Sequence, residues 1–352
     1  MNKDEVIGRY EYQEVESKEV AILTENIRLP IFISDNLISW LDNRVAPLYR
    51  KYTQEIIQEF SLDGMKDLIN FSNLLSLTDT FWVQKVGDSL SWGDINLFKS
   101  ISSGSIPNSS LLTTDGLLPK YWVVENQQVY LIKEGSTGSC NAGREPESEV
   151  LASQVLRTLG YNHTPYELGC YNNQNTSKCP LITSPCEQAE SLIHASCYLK
   201  VGINQVDKIR DFCKGVDQEC LDDFNKLIIF DYLSINSDRH MNNLAFIIDA
   251  YTYKIKGLAP IYDNGVGMLC YFMLNDKYQT LEQFLELYIP KLYDSFIDEA
   301  IISKCQLGDK HNLEYLLGFS FDITNSDLNI NQERIEFIQS FIRERATALL
   351  TL

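Results

Sequence analysis

Two short runs of β-branched and aromatic residues in the middle of the chain predict a β-hairpin. Residues 121–124 read Tyr-Trp-Val-Val and residues 129–133 read Val-Tyr-Leu-Ile-Lys, and a polar four-residue break separates them. Runs of this kind on either side of a short polar break are typical of antiparallel strands. The second strand is expected to end at Lys133, and a loop rich in glycine follows it.

The pattern then takes on a helical period. Pro146 and the polar residues after it are typical of a helix start, and Leu151, Val155 and Leu159 recur on one face before Gly160 ends the helix. Further helices are predicted at 47–60, 205–213, 221–233, 280–296 and 332–350, and further strands at 165–171 and 178–186. Mixed β and α segments followed by mainly helical ones predict an α+β fold with two lobes, joined near residues 185–190.

The composition is that of a globular protein. The chain has 352 residues, of which 44% are hydrophobic, and this length can bury a large core. Its 30 Lys and Arg against 48 Asp and Glu give a net charge of −18, which argues against nucleic acid or an anionic membrane surface as a direct partner. No apolar stretch approaches the roughly 20 residues of a membrane helix, and no secretion signal is recognised. We expect a soluble, cytoplasmic protein.

Three polar residues in the second half have the spacing that phosphoryl transfer from ATP requires. Asp238 stands five residues before Asn243, between a predicted helix and a predicted strand, and Asp263 lies 20 residues beyond Asn243. A carboxylate must hold and deprotonate the incoming hydroxyl, and oxygen ligands must hold Mg²⁺. A cation must grip the inner phosphates, and Lys133 can supply it with Glu149 as its ion-pair partner.

The motifs around these residues are specific. They are Asp-Arg-His-x-x-Asn from Asp238, Ala-Pro-x-Tyr-Asp-x-Gly from Ala259, Gly-Leu-Leu-Pro-Lys from Gly116, Tyr-Leu-Ile-Lys ending at Lys133, and the helix start at Pro146. Over roughly residues 115–267 the sequence resembles the HipA-like serine/threonine kinases of bacteria, and its first hundred residues resemble the leading segment of the stand-alone, Firmicutes-type members. The resemblance implies a bilobal protein-kinase-like fold, ATP and Mg²⁺ as cofactors, and phosphorylation of protein serine or threonine, often including the kinase's own.

The resemblance also implies three segments. Residues 1–110 would form an N-terminal α/β segment packed on the N-lobe, and residues 111–188 the nucleotide-binding N-lobe. Residues 189–352 would form a helical C-lobe that carries the catalytic loop and the metal-binding Asp. A hinge contacting adenine is expected near residues 181–188, by position alone.

Residue by residue, the resemblance makes Asp238 the catalytic base, and Asn243 and Asp263 the Mg²⁺ ligands. Lys133 corresponds to the nucleotide-binding lysine, and Glu149 to its partner in an ion pair.

Other matches leave choices open. Glu145 and Glu147 are close enough to compete with Glu149 for Lys133, although both are expected in a solvated first helical turn that the helix dipole favours. Gly116 and Lys120 match the phosphate loop of the family only loosely, because this turn has a single glycine. Arg239 is expected to organise the catalytic loop, with Asp231 or another carboxylate as its partner.

The resemblance implies a protein substrate with a Ser or Thr hydroxyl. An antitoxin partner of the kind found in toxin–antitoxin systems is not visible in one chain, and no direct contact with nucleic acid or membrane is expected. Three alternatives stay open. Phosphoinositide lipid kinases share Asp-Arg-His-x-x-Asn, a pseudokinase would bind ATP without transfer, and a metallohydrolase could use Asp238, His240 and Asp263.

Overall fold

The structure is a computed structural model of the whole chain. It describes residues 1–15, 18–44, 54, 57–62, 65–101, 104, 106, 112, 118–138, 142–171, 174–183, 189–200, 202, 205–275, 277–289, 292–293, 302–303, 305, 311–322 and 331–352. Among these residues, no helix combines the length and the apolar character that crossing a membrane requires.

The described residues form α-helices and three β-sheets. The strands are β1 (Gly8–Val15), β2 (Lys18–Asn26), β3 (Lys120–Glu125), β4 (Gln128–Glu134), β5 (Glu167–Tyr171), β6 (Gln174–Pro180), β7 (Glu190–His194), β8 (Ala245–Asp249) and β9 (Ile255–Leu258). Their orders in the sheets are β1-β2, β3-β4-β6-β5 and β7-β8-β9. The first half of the chain carries the short helices α1 (Ile31–Ser34), α2 (Leu37–Arg44), α3 (Met65–Ser72), α4 (Trp92–Ile95) and α5 (Phe98–Ile101).

The remaining helices follow β4 along the chain. They are α6 (Glu145–Leu159), α7 (Gln205–Val216), α8 (Gln218–Ser234), α9 (Leu281–Leu287), the single turn α10 (His311–Glu314) and α11 (Gln332–Thr351). Gly160 ends α6 in the left-handed region with φ 66°, a conformation that glycine adopts without steric cost. This combination of sheets and helices confirms the predicted α+β class.

The chain divides into two compact units. Unit 1 comprises Met1–Leu131, Leu181–Lys200 and Ile247–Ile255, and unit 2 comprises Ile132–Pro180, Val201–Phe246 and Lys256–Leu352. Three of the five boundaries fall within strands, namely β4, β8 and β9. The three functional segments expected from the sequence, 1–110, 111–188 and 189–352, remain a prediction.

Unit 1 has its own hydrophobic core beneath the β1-β2 hairpin. In this hairpin Tyr10 pairs with Leu23 and Tyr12 with Ala21, so these four side chains share one face. A bulge between Arg9 and Tyr10 interrupts the register. The hairpin face packs on buried residues of the helices and later strands, among them Ile7, Phe32, Ile33, Trp40, Leu68, Phe81, Ile193 and Ile248.

Unit 2 is built around α6 and α8. The face of α6 predicted from the sequence is buried, including Leu151, Val155 and Leu159. Along α8 the buried residues surround the helix rather than follow one stripe, as expected for a helix at the centre of a domain. Asp217 caps its first turn through a hydrogen bond from the Cys220 N–H, 2.8 Å long.

Several predicted elements are confirmed and others need correction. The hairpin β3-β4, the helix α6 and strand β5 agree with the prediction to within two residues at most ends. The strand predicted at 178–186 is wrong in its bounds, because β6 starts at Gln174 and ends at Pro180. Its first residues are polar, yet they pair with β5 through a ladder that includes Gly169 opposite Thr176, and these backbone bonds outweigh local propensity.

The helix predicted at 280–296 is also too long. Helix α9 ends at Leu287, and Tyr288 leaves the helical region with φ −100° and ψ 68°. Pro290 two residues later disfavours helical backbone at Ile289, which explains the early stop. The pattern does not predict β1, β2 or β7. The helix predicted at 47–60 falls largely outside the described residues, of which 54 and 57–59 are helical.

Candidate active site

Lys133 lies between two carboxylates that come from distant parts of the sequence. Its Nζ donates a hydrogen bond of 2.8 Å to Glu149 Oε1 and one of 2.6 Å to Asp263 Oδ1. It also lies 5.5 Å from the centroid of the Tyr166 ring. Strand β4 ends at the residue after Lys133, and Glu149 lies in the second turn of α6. The structure therefore brings Lys133, Glu149 and Asp263 together. Of the three glutamates that could pair with Lys133, it is Glu149 that forms the ion pair.

The charges of this cluster stabilise one another. Burial by itself lowers the pKa of Lys133, but Asp263 and Glu149 more than offset it, so the pKa lies well above its ordinary value. Burial also raises the pKa of Glu149, an effect that Lys133 opposes. Glu149 is 2% exposed, whereas the side chain of Asp263 is 37% exposed. Lys133 is thus held as a cation between a buried carboxylate and one that reaches solvent.

Asp263 has an unusual backbone conformation that its neighbours hold in place. Its φ of 58° lies in the left-handed region, where Asp is tolerated better than most residues. Its N–H donates to the Tyr166 hydroxyl over 3.2 Å, and its carbonyl accepts from Asn236 Nδ2 over 3.1 Å. The next N–H, of Asn264, donates to Glu149 Oε2 over 2.7 Å. Hydrogen bonds to Tyr166, Asn236 and Glu149 therefore hold the backbone of residues 263–264 in place.

Asp238 and Asn243 belong to one loop that closes on itself. Asn243 Nδ2 donates to the Asp238 carbonyl over 3.1 Å, and the Asn243 N–H donates to the His240 carbonyl over 2.9 Å. The Asp238 N–H donates to Asn236 Oδ1 over 3.2 Å. His240 Nδ1 accepts from the Asn242 N–H over 3.1 Å, which places this ring in the loop framework. These bonds set the backbone from which Asp238 and Asn243 project.

Arg239 connects this loop to the Asp263 segment. It is fully buried, and its guanidinium donates to the carbonyls of Asn243 and Tyr262 over 3.1 and 2.8 Å. It also donates to Asn264 Oδ1 over 2.5 Å. A single side chain therefore holds the two segments that carry Asn243 and Asp263, and the expected loop-organising role of Arg239 is confirmed.

Asp231 is the counter-charge of Arg239, as suggested from the sequence. The two side chains form a buried ion pair, with Nε 2.9 Å from Oδ2 and Nη2 3.0 Å from Oδ1. Burial raises the pKa of Asp231, and Arg239 opposes this shift. The Tyr293 hydroxyl donates to the same carboxylate over 2.7 Å. Because every contact here donates a hydrogen bond to Asp231, the carboxylate is ionised and the pair is satisfied.

The expectation of a solvated first turn at Glu145 and Glu147 is wrong. Both residues are buried, and each has a polar partner inside unit 2. Glu145 accepts from the Ser136 N–H over 3.0 Å and from the Tyr271 hydroxyl over 2.8 Å, whereas Glu147 accepts from Asn175 Nδ2 over 3.2 Å. The helical period identified the face that packs, but it could not reveal that strands and loops from elsewhere cover the opposite face of this turn.

The loop after Lys133 folds back tightly on itself. A Cβ on Gly135 would lie 2.6 Å from the Cα of Gly143, which is closer than two such atoms can approach. Glycine is therefore required at this position. Glu145 fixes one end of the loop through its bond from the Ser136 N–H, so the loop is tied to the start of α6.

The remaining predicted residues are placed as follows. Gly116 lies outside the described residues, and Lys120 is the first residue of β3, in unit 1. The binding roles of both remain predictions. The structure also adds Tyr166, Asn236 and Asn264 to the site. Asn264 stands in the Asp-x-Gly motif and Asn236 just ahead of the Asp238 motif, so their positions were a signal, whereas nothing in the local sequence singles out Tyr166.

The donor atoms fit a hard cation bound mainly through a ligand's phosphates. Among the described residues, no group of three or more His, Cys, Asp and Glu side chains could hold a metal ion. Asn243 donates through Nδ2, which turns its amide oxygen away from the Asp238 carbonyl, and the Asp263 carboxylate is partly exposed. Mg²⁺ typically takes one or two protein oxygens together with phosphate oxygens and water. The site residues are compatible with that mode.

Comparison with known proteins identifies the type of fold. No protein-family model matches the sequence, and no curated protein matches it. The structure is similar to that of the proinflammatory kinase CtkA of Helicobacter pylori, with a TM-score of 0.50 and 15% identity over 66% of this chain and 94% of that one. It is also similar to a chain of the HipA, HipB and operator DNA complex of the Shewanella oneidensis MR-1 toxin–antitoxin system, with a TM-score of 0.52 and 11% identity over 100% of this chain and 97% of that one. The chain therefore has a bilobal α+β kinase-like fold.

Proposed function

We propose that this chain is an ATP-dependent protein serine/threonine kinase of the HipA-like type, which also phosphorylates itself. The observation that supports this most is the position of Lys133, bonded at once to Glu149 and Asp263. Protein kinases need a lysine paired with a helix glutamate, together with an aspartate that holds the metal. A structural ion pair would require only one of the two carboxylates.

The proposed roles follow from the chemistry of each group. Bound Mg·ATP would supply the phosphoryl group and the cation that neutralises its charge. Asn243 and Asp263 would provide the protein oxygens for Mg²⁺, and Lys133 would hold the inner phosphates. Asp238 would orient the acceptor hydroxyl and accept its proton. Arg239 would keep Asn243 and Asp263 in register, because it binds the backbone or neighbour of both.

The phosphate acceptor and the protein partner are proposed from similarity to other proteins. A serine or threonine hydroxyl of a protein is proposed as the acceptor because of the resemblance to HipA-like kinases. One similar structure holds HipA together with HipB and operator DNA. We propose an antitoxin-like protein as a partner of this chain by that analogy, and with a charge of −18 we expect no direct contact between this chain and nucleic acid.

The test is phosphoryl transfer by the purified chain and by Asp238→Asn. Incubation with Mg²⁺ and γ-labelled ATP, followed by mass spectrometry, should locate phosphate on Ser or Thr. Asp238→Asn should lower the rate by about 10² or more, the usual contribution of a general base, while ATP affinity stays within a few-fold. Asp222→Asn, an exposed aspartate on α8, is the matched control and should leave the rate unchanged.

Each other outcome points elsewhere. Label in phosphoinositide vesicles but not in protein would indicate a lipid kinase. ATP binding without transfer by the unmodified chain would indicate a pseudokinase, and release of phosphate without ATP specificity would indicate a hydrolase. If Asp238→Asn transferred phosphate at the normal rate, Asp238 would not be the base.

A further inference from the structure

One buried arginine has no role in the proposed phosphoryl transfer. Arg334 lies in the first turn of α11 and is only 6% exposed. A guanidinium that is removed from water must find hydrogen-bond acceptors inside the protein, because its burial is otherwise very unfavourable. The acceptors that Arg334 has found therefore indicate what its burial achieves.

The Arg334 guanidinium binds the backbone of a single short segment, residues 268–272. Its Nη1 donates to the Phe272 carbonyl over 3.0 Å, and its Nη2 donates to the Leu269 carbonyl over 2.8 Å. Nη2 also contacts the carbonyls of Cys270 and Met268, at 3.3 and 3.5 Å. Four of the five carbonyls of this segment therefore face one planar group, which suits arginine because its donors have fixed directions.

The backbone of the 268–272 segment requires such support. Met268 and Leu269 have φ values of 53° and 54°, so two consecutive residues with long side chains lie in the left-handed region. Residues other than glycine rarely adopt this conformation, and it persists only where the surroundings hold it. Carbonyl oxygens that converge on one point also repel one another unless a donor lies between them. The Arg334 guanidinium meets both requirements.

Arg334 remains a cation in this environment. Burial and the nearby charge of Arg144 lower the pKa of Arg334 to about 10, and Glu147 opposes this shift. That value is still well above neutral pH, so the guanidinium is charged when it binds the carbonyls. Arg144, the N-cap residue of α6, also donates to the Phe272 carbonyl, over 3.2 Å. The segment is thus held by arginines from two different helices.

The 268–272 segment continues the one that carries Asp263, and it lies next to the proposed catalytic base. The Tyr271 hydroxyl donates to Glu145 over 2.8 Å. Burial, Glu145 and the carboxylate of Asp238 all raise the pKa of the Tyr271 hydroxyl, so Tyr271 is within electrostatic reach of Asp238. An acceptor hydroxyl that approaches Asp238 would therefore pass close to this segment.

We propose that Arg334 is a positioning residue of the candidate active site. It clamps residues 268–272, and these form a wall beside Asp238 against which the phosphate acceptor is placed. This inference rests on the proposed kinase function and adds to it a side chain from the last helix. Asp263 is held by hydrogen bonds of its own, so the clamp serves the acceptor rather than the nucleotide.

Hydrogen exchange of the full chain without nucleotide tests the clamp. Arg334→Met keeps an unbranched side chain but removes every donor, so the amides of residues 268–272 should exchange roughly tenfold faster while those of α8 keep their rates. Arg343→Met is the matched control, because Arg343 lies in the same helix and donates to the Phe319 carbonyl, over 3.0 Å. It should leave exchange in residues 268–272 unchanged. Equal acceleration throughout the chain, or none in this segment, would overturn the proposal.

Phosphoryl transfer tests the positioning role. Arg334→Met should slow self-phosphorylation with Mg·ATP by roughly 10²-fold, the size of loss that a small misplacement of reacting groups can cause. The affinity for Mg·ATP should stay within about threefold, because the residues proposed to bind it are held separately. An unchanged rate, or an equal loss of nucleotide affinity, would show that Arg334 does not position the acceptor.

A second variant covers the case in which Arg334→Met does not fold. Arg334→Lys keeps the charge but cannot bind several carbonyls in one plane, and it should show the same two changes at smaller size. Normal exchange and a normal rate in this variant would overturn the proposal. If the unmodified chain transfers no phosphate at all, the kinase function itself is wrong, and the exchange measurement still decides whether Arg334 clamps the segment.

Discussion

At the scale of single residues, the Lys133 side chain binds two carboxylates at once. Its ammonium group has three donors, and two of them are used by carboxylates 16 and 130 residues away in sequence. A buried lysine without such partners would tend to lose its proton, because burial disfavours the charge. Here the two carboxylates outweigh the effect of burial and raise the pKa of Lys133, so its side chain stays a cation.

A double-mutant cycle measures whether Lys133 and Glu149 act as one unit. Lys133→Met and Glu149→Gln should each lower kcat/KM for phosphoryl transfer, and the double variant should lose less than the sum. Contacting pairs usually show a coupling free energy of about 0.5–3 kcal/mol, and we expect the upper half of that range here. Steady-state kinetics with Mg·ATP would measure it.

Glu147→Gln provides the control for this cycle. Glu147 lies on the same helix and accepts from Asn175 rather than from Lys133. Its loss should therefore add to that of Lys133→Met within about 0.5 kcal/mol. Simple additivity in the Glu149 cycle as well would show that the observed contact is only structural.

At the scale of elements, the Arg239 side chain joins two loops that no helix or strand connects. Loops 236–243 and 262–264 share no helix or strand, yet both are bonded to one guanidinium. Arginine suits this task because its planar group offers five donors in fixed directions. The loops are held by an ion pair at the end of α8, since Asp231 lies in its last turn.

Removing Arg239 should destabilise the chain strongly. Arg239→Leu leaves Asp231 as an unpaired charge in the interior, and breaking such a pair typically costs about 3–5 kcal/mol. Urea denaturation followed by circular dichroism would measure the loss. The double variant Arg239→Leu with Asp231→Leu should recover part of it, because no buried charge remains.

The exposed pair Arg9–Glu25 is the matched control for this prediction. Both of its side chains are about half exposed, so Arg9→Leu should cost no more than about 1 kcal/mol. Equal losses for Arg9→Leu and Arg239→Leu would contradict the idea that Arg239 organises the loops.

At the scale of the whole molecule, the proposed kinase site falls within one of the two compact units. All of the residues proposed for metal, inner phosphates and proton transfer lie in unit 2. A ligand that binds only the folded chain raises its stability by an amount set by concentration over Kd. Binding of Mg·ATP can therefore be followed through the stability of the intact chain.

Mg·ATP should stabilise the chain through Asp263. At one hundred times its Kd, bound Mg·ATP adds about 2.7 kcal/mol, which scanning calorimetry would record as a higher unfolding temperature. Removal of Mg²⁺ with EDTA should abolish most of this shift. Asp263→Asn should do the same, and asparagine is the appropriate substitution because it tolerates the left-handed backbone at this position.

The same calorimetric measurement can contradict this prediction. A shift of equal size in Asp263→Asn, or in the presence of EDTA, would show that Mg²⁺ and Asp263 are not part of nucleotide binding. Unchanged circular dichroism of Asp263→Asn without ligand is the necessary control for its fold.

Local sequence patterns correctly predicted the elements that are determined by residues close together in the sequence. The hairpin β3-β4 and helix α6 follow from alternation, the Pro146 start and the Gly160 stop, because backbone propensity and side-chain period act over short distances. The spacing of Asp238, Asn243 and Asp263 likewise identified residues that the fold places on two connected loops. The chemistry proposed for these three residues restricts the residue types that can serve, which is why a single sequence can reveal them.

Tertiary structure decided which of these residues meet. By local pattern Glu145, Glu147 and Glu149 can all compete for Lys133, and only the folded chain gives each a different partner. Glu145 accepts from Tyr271, Glu147 from Asn175, and Glu149 from Lys133 and the Asn264 N–H. The same holds for Tyr166, whose hydroxyl accepts from the Asp263 N–H. Their roles depend on which segments of unit 2 pack together, and packing over long sequence separations leaves no short-range signal to read.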